Sequence, residues 1–339
     1  MKKGYELKID AYAHIVPQKY KDFLYTVAPE QVDTKINNNP SLYDLEYRFR
    51  LMDPYEPLRQ ILTLAWPPVE EVAGPEKTPE LAQVANDEMA NLVAKYPERF
   101  ITAIAVLPIN NMEASLKEAE RAIRDLRFRG VYIHAPICGK PPDLPEFFPL
   151  YDLMSQYDLP IFVHPMRLID HPDYPTESES KYNMQGTFGW PYETTAFMAR
   201  MVYSGVMEKY PRLKIVTHHC GGMVPFFADR IEELSHLIER GLARSKVERP
   251  VMTKSILDYF KLFYADTALY GNPSALMCGY HFFGADHLLF AADFPLGDTE
   301  RGARNLRKTV NAIEQMEISE EERKHIYEDN ARKLMRLPS

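Results

Sequence analysis

Short apolar runs alternate with helical patterns along the whole chain, and that alternation limits the fold more than any other feature. The runs are Leu7–Asp10, Ile61–Trp66, Ile101–Leu107, Gly130–His134, Pro160–His164, Lys214–His219, Leu262–Leu269 and Leu288–Asp293. Each is rich in Val, Ile, Leu or Phe with little polar alternation, as parallel strands covered on both faces are. Helical patterns fill gaps at Glu80–Lys95, Met112–Arg127, Tyr192–Lys209, Pro225–Arg240 and Thr299–Met316. In the second of these, Asn110 or Asn111 can cap the start, and Leu116, Ala119, Ile123 and Leu126 recur at helical spacing before Gly130.

Eight strands alternating with helices predict an α/β chain folded as a single (β/α)8 TIM barrel domain over residues 1–339. A doubly wound open sheet is the rival. No Gly-x-Gly-x-x-Gly follows the first run, which removes its commonest dinucleotide-binding form, and no organic cofactor is expected. Polar insertions follow strand one (Lys21–Glu46) and strand five (Met166–Trp190). Both fall where strands end, on the face where barrels carry their sites, and loops this long are commonly binding elements.

Bulk charge narrows the partners. With 40 basic against 48 acidic residues and a net charge of −8, the chain lacks the basic footprint that nucleic acid requires. Cys138, Cys220 and Cys278 are too few and too scattered for a disulfide framework or a Cys-x-x-Cys knuckle, so a reducing cytoplasm is expected. The start, "MKKGYELKID", has no apolar signal core, and no run approaches the ~18 apolar residues of a membrane span.

Polar residues close several of the apolar runs. His14 follows strand one, His164 ends strand five, His218 and His219 end strand six, and Asp293 ends strand eight. In a barrel these ends converge on one mouth, and two or three imidazoles with a carboxylate suit a catalytic zinc or a similar divalent cation. A single histidine at a strand end is usually a packing residue, and His134 and His171 are read that way. His236 and His325 fall in helical patterns and are read as surface residues.

The blocks "IDAYAHIVP", "YPERFITAIAVLP", "EFFPLYDLMSQYDLPIFVHP", "GWPYETTAFMARMVYSGVMEKYPRLKIVTHHCGGMVPF" and "LLFAADFPLGD" resemble a known family. They are similar to the amidohydrolase-related metal enzymes, in the branch of aminocarboxymuconate-semialdehyde decarboxylase and the resorcylate-type decarboxylases. The resemblance covers nearly the whole chain. It implies His14, His164 and Asp293 as metal ligands, with zinc the leading cation and manganese the alternative. Alignment on "CGG" and Pro225 implies His219, not His218, as the acid/base residue. His218 is then expected to face the other side of its strand, because neighbours on a strand point oppositely. The resemblance also implies a homodimer, for which helices such as "TTAFMARMVYSG" could supply surface, although such apolar stripes usually pack on the barrel.

Two departures stand out. That branch carries His-x-His or Glu-x-His on strand one, where this chain has Tyr12. Tyr12 could coordinate as a phenolate, hydrogen-bond a bound water or substrate, or fill a site that has lost its metal. The second reading is favoured, with Tyr12 joining His219 and Asp293 as a catalytic residue. The branch also holds the substrate carboxylate with arginines, and the loop after strand one has none here. Arg167, close after His164, is a candidate substitute clamp that reads equally well as a solvated loop arginine, and Trp190 is a second candidate substrate-binding residue. Arg230 and Arg240 match no bridging position, and Arg48 and Arg50 are read as helix-face residues.

The expected function is therefore a metal-dependent, non-oxidative carbon–carbon lyase acting on a small carboxylated cyclic or unsaturated molecule. Decarboxylation is implied by the resemblance alone. The rivals are a hydrolase or hydratase on the same site, acting on a lactone, amide or alkene, and a catalytically silent barrel scaffold.

Overall fold

The first strand runs farther than its apolar core implies. In the computed structural model, which describes residues 7–245, 248–296 and 299–337, β1 spans Lys8–Ile15. His14 thus lies inside the strand, on the same side as Tyr12. The remaining strands are β2 (Leu58–Leu64), β3 (Phe100–Ala103), β4 (Ala105–Val106), β5 (Val131–Ala135), β6 (Ile161–Pro165), β7 (Ile215–Thr217), β8 (Tyr264–Asp266) and β9 (Leu288–Leu289). Ladders run in parallel along β1–β2–β3 and along β4 through β9.

The third expected strand is divided at Ile104 into β3 and β4. The Ile104 N–H donates to Leu62 O at 2.9 Å, which carries the pairing across the break. At the other junction, Ala11 N–H donates to Phe290 O at 2.8 Å and His14 N–H to Phe294 O at 2.7 Å. First and last strands therefore meet, as a barrel demands.

Ile9, Tyr12, Ile61, Ile104, Tyr132, Phe162, Val216 and Leu289 form one buried cluster with Leu334 and Met335 of the C-terminal helix. A second and larger cluster packs helices against the outer strand faces. Each such side chain contributes about 2 kcal/mol by leaving water.

Helices follow the expected pattern with informative breaks. Thr78–Lys95, Met112–Arg124 and Thr299–Glu314 lie close to their expected spans. The span expected over Tyr192–Lys209 divides into Trp190–Tyr203 and Val206–Lys209, because Gly205 adopts φ +82° between them. Phe197, Met198, Met201 and Val202 of the first half are buried within the chain. The pattern over Pro225–Arg240 becomes Ala228–Glu233 and His236–Ser245.

The insertion after β1 is packed and partly helical. Leu24, Val32 and Ile36 are buried, and the helix Leu45–Met52 brings in Arg48. Contrary to the expectation of a helix-face residue, Arg48 is fully buried. Its Nη1 donates to His14 O at 2.7 Å and its Nε to Gln60 Oε1 at 2.9 Å. Burial outweighs the nearby Asp10 and lowers its pKa to about 9. The insertion is thereby tied to the backbone of a site residue.

Candidate metal centre

His14, His164, His218 and Asp293 each offer one ligand atom, and these atoms lie within 4.8 Å of one another. All are buried. The outer nitrogen of every histidine ring is already engaged. His14 Nδ1 is 3.1 Å from Thr63 Oγ1, His164 Nδ1 donates to Pro165 O at 2.8 Å, and His218 Nδ1 meets the Asp266 carboxylate. Each Nε2 is left for the centre, the arrangement that fixes a metal-binding tautomer.

The inner atoms converge on one carboxylate. His14 Nε2 and His218 Nε2 each lie 3.2 Å from Asp293 Oδ1. The other oxygen, Oδ2, accepts from the Tyr270 hydroxyl at 3.2 Å. His164 Nε2 is buried with no hydrogen-bond partner, an orphaned lone pair facing the cluster. This donor set fits a divalent cation of the zinc or manganese kind.

Electrostatics follow from burial and neighbours. Desolvation lowers the pKa of His14, with Asp293 partly offsetting it. Desolvation and then the charge of His218 hold His164 well below the ordinary value. His218 goes the other way: burial opposes its charge, but Asp266 and then Asp293 raise it to about 10. Burial also works against the Asp293 charge, yet His14 and His218 outweigh it and hold this carboxyl well below the usual range.

Tyr12 lies against this cluster. Its ring stacks on His218 at 4.3 Å between centroids and 27° between planes. Its buried hydroxyl has no hydrogen-bond partner, and desolvation, then Tyr132, Asp266 and Asp293, raise its pKa well above the ordinary tyrosine value. The group is a neutral phenol.

His218 does not face away from the site as alternation suggests. β7 ends at Thr217, so His218 and His219 already lie in the turn beyond it. His219 (φ +56°), Cys220 (φ +53°), Gly221 (φ +73°) and Gly222 (φ +62°) all adopt left-handed backbone. Asp293 is also left-handed at φ +57°. Such strain in non-glycine residues, about 1–3 kcal/mol each, gathers at functional sites.

The turn needs its glycine: a Cβ on Gly222 would stand 2.4 Å from Pro191 O. Gly222→Ala is expected to cost about 2 kcal/mol or more through the left-handed strain and this clash, read as a lower urea midpoint.

The same turn presents His219 to a cleft of ≈ 640 Å³ lined by Asn183, Gln185, Thr187, Trp190, His219 and Tyr270, among others. His219 is 6% exposed, and its Nδ1 has no hydrogen-bond partner. Burial, then the charge of His218, lowers its pKa to about 3, so its ring is neutral at neutral pH. Trp190 stacks near it at 6.4 Å and 26°. Arg167 does not line the cleft; its Nη1 is 3.0 Å from Glu193 Oε1. His134, next to last in β5, has Nδ1 3.5 Å from Glu70 Oε1 and lies outside the four-residue cluster.

Thr63, Asp266, Tyr270 and the buried Arg48 were not legible as site residues, and His218, grouped with the other strand ends, was then expected to face away. For Asp266 the available signal was an acid inside the apolar run "LFYADTAL".

The Amidohydrolase family profile matches residues 9–337. The chain belongs to this amidohydrolase family. Among its relatives is the gamma-resorcylate decarboxylase of Polaromonas sp., 31% identical over 300 residues and 86% of each chain. The 2-amino-3-carboxymuconate-6-semialdehyde decarboxylase of Dictyostelium discoideum is 28% identical over 78% of this amidohydrolase and 69% of its own length. A dihydroxybenzoic acid decarboxylase from Polaromonas sp., solved with bound manganese and 2-nitroresorcinol, superposes with a TM-score of 0.76. It is 26% identical, covering 98% of this amidohydrolase and 97% of its own chain.

Proposed function

We propose that this amidohydrolase is a metal-dependent, non-oxidative decarboxylase of a small carboxylated aromatic or unsaturated acid. The observation that carries the reading is the buried imidazole and carboxylate cluster, opening beside His219 onto a cleft of small-molecule size. The relatives' activities agree with it.

In this reading His14, His164 and Asp293 hold the cation, zinc or manganese. When bound, it supplies Lewis-acid polarisation of a substrate oxygen. Trp190 forms a wall for the substrate ring, while Arg167, outside the cleft lining and paired with Glu193, would reach the substrate carboxylate only by leaving that ion pair. The bond from ring carbon to carboxyl carbon breaks, carbon dioxide leaves, and the electron pair stays on the ring carbon. A proton then replaces the carboxyl group. His219, neutral at neutral pH, takes that proton from water in the cleft and delivers it to the ring carbon, with Asp293 sharing the transfer. The Tyr12 hydroxyl, a neutral donor, orients the polarised oxygen.

The expected assembly is a homodimer, for which exposed Tyr192, Phe226 and Phe227 provide aromatic surface. A reducing cytoplasm suits the free Cys138, Cys220 and Cys278. No helix among the described residues is long and apolar enough to cross a membrane.

Hydrolysis or hydration is kept as a second reading because no Lys or Arg is among the described residues lining the cleft. A panel of carboxyl-labelled hydroxybenzoates and carboxymuconates separates the two. Labelled carbon dioxide is the expected product. Turnover of lactones, amides or esters with no release from any acid would overturn decarboxylation.

A further inference from the structure

Position 12 shares a strand face with His14, and its ring stacks face to face on His218. His218 offers an imidazole nitrogen to the same cluster as His14, His164 and Asp293. Its side chain is fully buried, as is that of Asp266. Asp266 is itself held in place: its Oδ1 accepts the N–H of Cys220 at 3.2 Å and of Ala268 at 3.0 Å. That leaves Oδ2 to accept from His218 Nδ1. The imidazole is therefore fixed on three sides. Asp266 sets its tautomer, the Tyr12 ring sets its plane, and its Nε2 faces the oxygen of Asp293 that His14 also faces.

We infer that His218 is a protein ligand of the cation, held in its Nδ1–H form by Asp266, and that Tyr12 is the buttress on which it stacks. The inference rests on the metal-dependent reading above. The centre then has His14, His164, His218 and Asp293 as protein donors, and its third imidazole comes from the turn after β7. Asp266 is a positioning residue that acts through His218. A carboxylate partner of this kind typically changes metal affinity 10–100-fold when removed.

The experiment is Mn²⁺ and Zn²⁺ binding to the full chain, metal-stripped and then titrated, with bound metal counted by elemental analysis. Pulsed EPR of the Mn²⁺-loaded protein counts coordinated imidazole nitrogens. The expected results are one cation per wild-type chain with three coupled imidazoles. His218→Ala should bind at least about 100-fold more weakly, and Asp266→Asn about 10–100-fold more weakly. Tyr12→Phe should keep wild-type metal affinity within about threefold, because it keeps the stacking ring. If His218→Ala fails to fold, His218→Gln serves in its place, with circular dichroism of the metal-free form as the control.

Wild-type metal affinity in a folded His218 variant, alongside loss of metal in His14→Ala, would overturn the ligand role and leave the metal-dependent reading standing. Failure of the wild-type chain to retain either cation would overturn both. Asp266→Asn with unchanged affinity and three coupled imidazoles would overturn the positioning role.

Discussion

Asp293→Asn is expected to lower turnover by about 10³-fold or more while the barrel stays folded. Two losses combine in this substitution. The carboxylate faces both His14 Nε2 and His218 Nε2 at 3.2 Å, so its charge is part of what draws a cation into a buried cluster. It is also a proposed proton carrier. An amide keeps the shape and can still accept from Tyr270, but it carries no charge and exchanges no proton at neutral pH. Saturating the variant with Mn²⁺ separates the effects, since added cation restores occupancy but not proton transfer. The readout is kcat for carbon dioxide release at saturating metal. Activity within about tenfold of wild type under those conditions would remove Asp293 from the proton-transfer step.

Stripping the metal is expected to leave less than about a hundredth of wild-type activity, recovered on adding Mn²⁺ or Zn²⁺. Cation at a hundred times its Kd should also stabilise the fold by about 2.7 kcal/mol, measured as a higher urea midpoint. The sign of the pH effect follows from His218. Its pKa is raised to about 10 in the metal-free cluster, so at neutral pH it holds a proton that a cation must displace. His14 and His164, with lowered pKa values, are already neutral. Metal affinity should therefore weaken as pH falls, about tenfold per unit between pH 9 and pH 7. Affinity that is flat over this window would contradict the proton displacement. A chain retaining less than about a tenth of an equivalent after loading would instead match the silent scaffold.

His14, His164, His219 and Asp293 were legible because each is a polar residue closing an apolar run, and a parallel barrel gathers such ends. His218 was misread for a definite reason. Strand alternation holds only while the backbone is extended, and β7 stops at Thr217. In the left-handed turn that follows, adjacent side chains reach different parts of one site: His218 meets the metal cluster and His219 meets the cleft. Arg48 was misread because its helix looks exposed by pattern, while its guanidinium is absorbed by the carbonyl of His14, which no periodicity reveals. The barrel was the most legible element, since short runs separated by helices leave few alternatives. The break at Ile104 and the turn at Gly205 depend on tertiary packing and on local backbone conformation.

Anomalous diffraction from crystals of the Mn²⁺-loaded protein, collected on both sides of the manganese edge, tests the metal centre most directly. A single peak is expected at bonding distance, about 2 Å, from His14 Nε2, His164 Nε2, His218 Nε2 and Asp293. A fully loaded crystal with no peak in this cluster, or with its peak at another site, would contradict a metal-dependent reaction here.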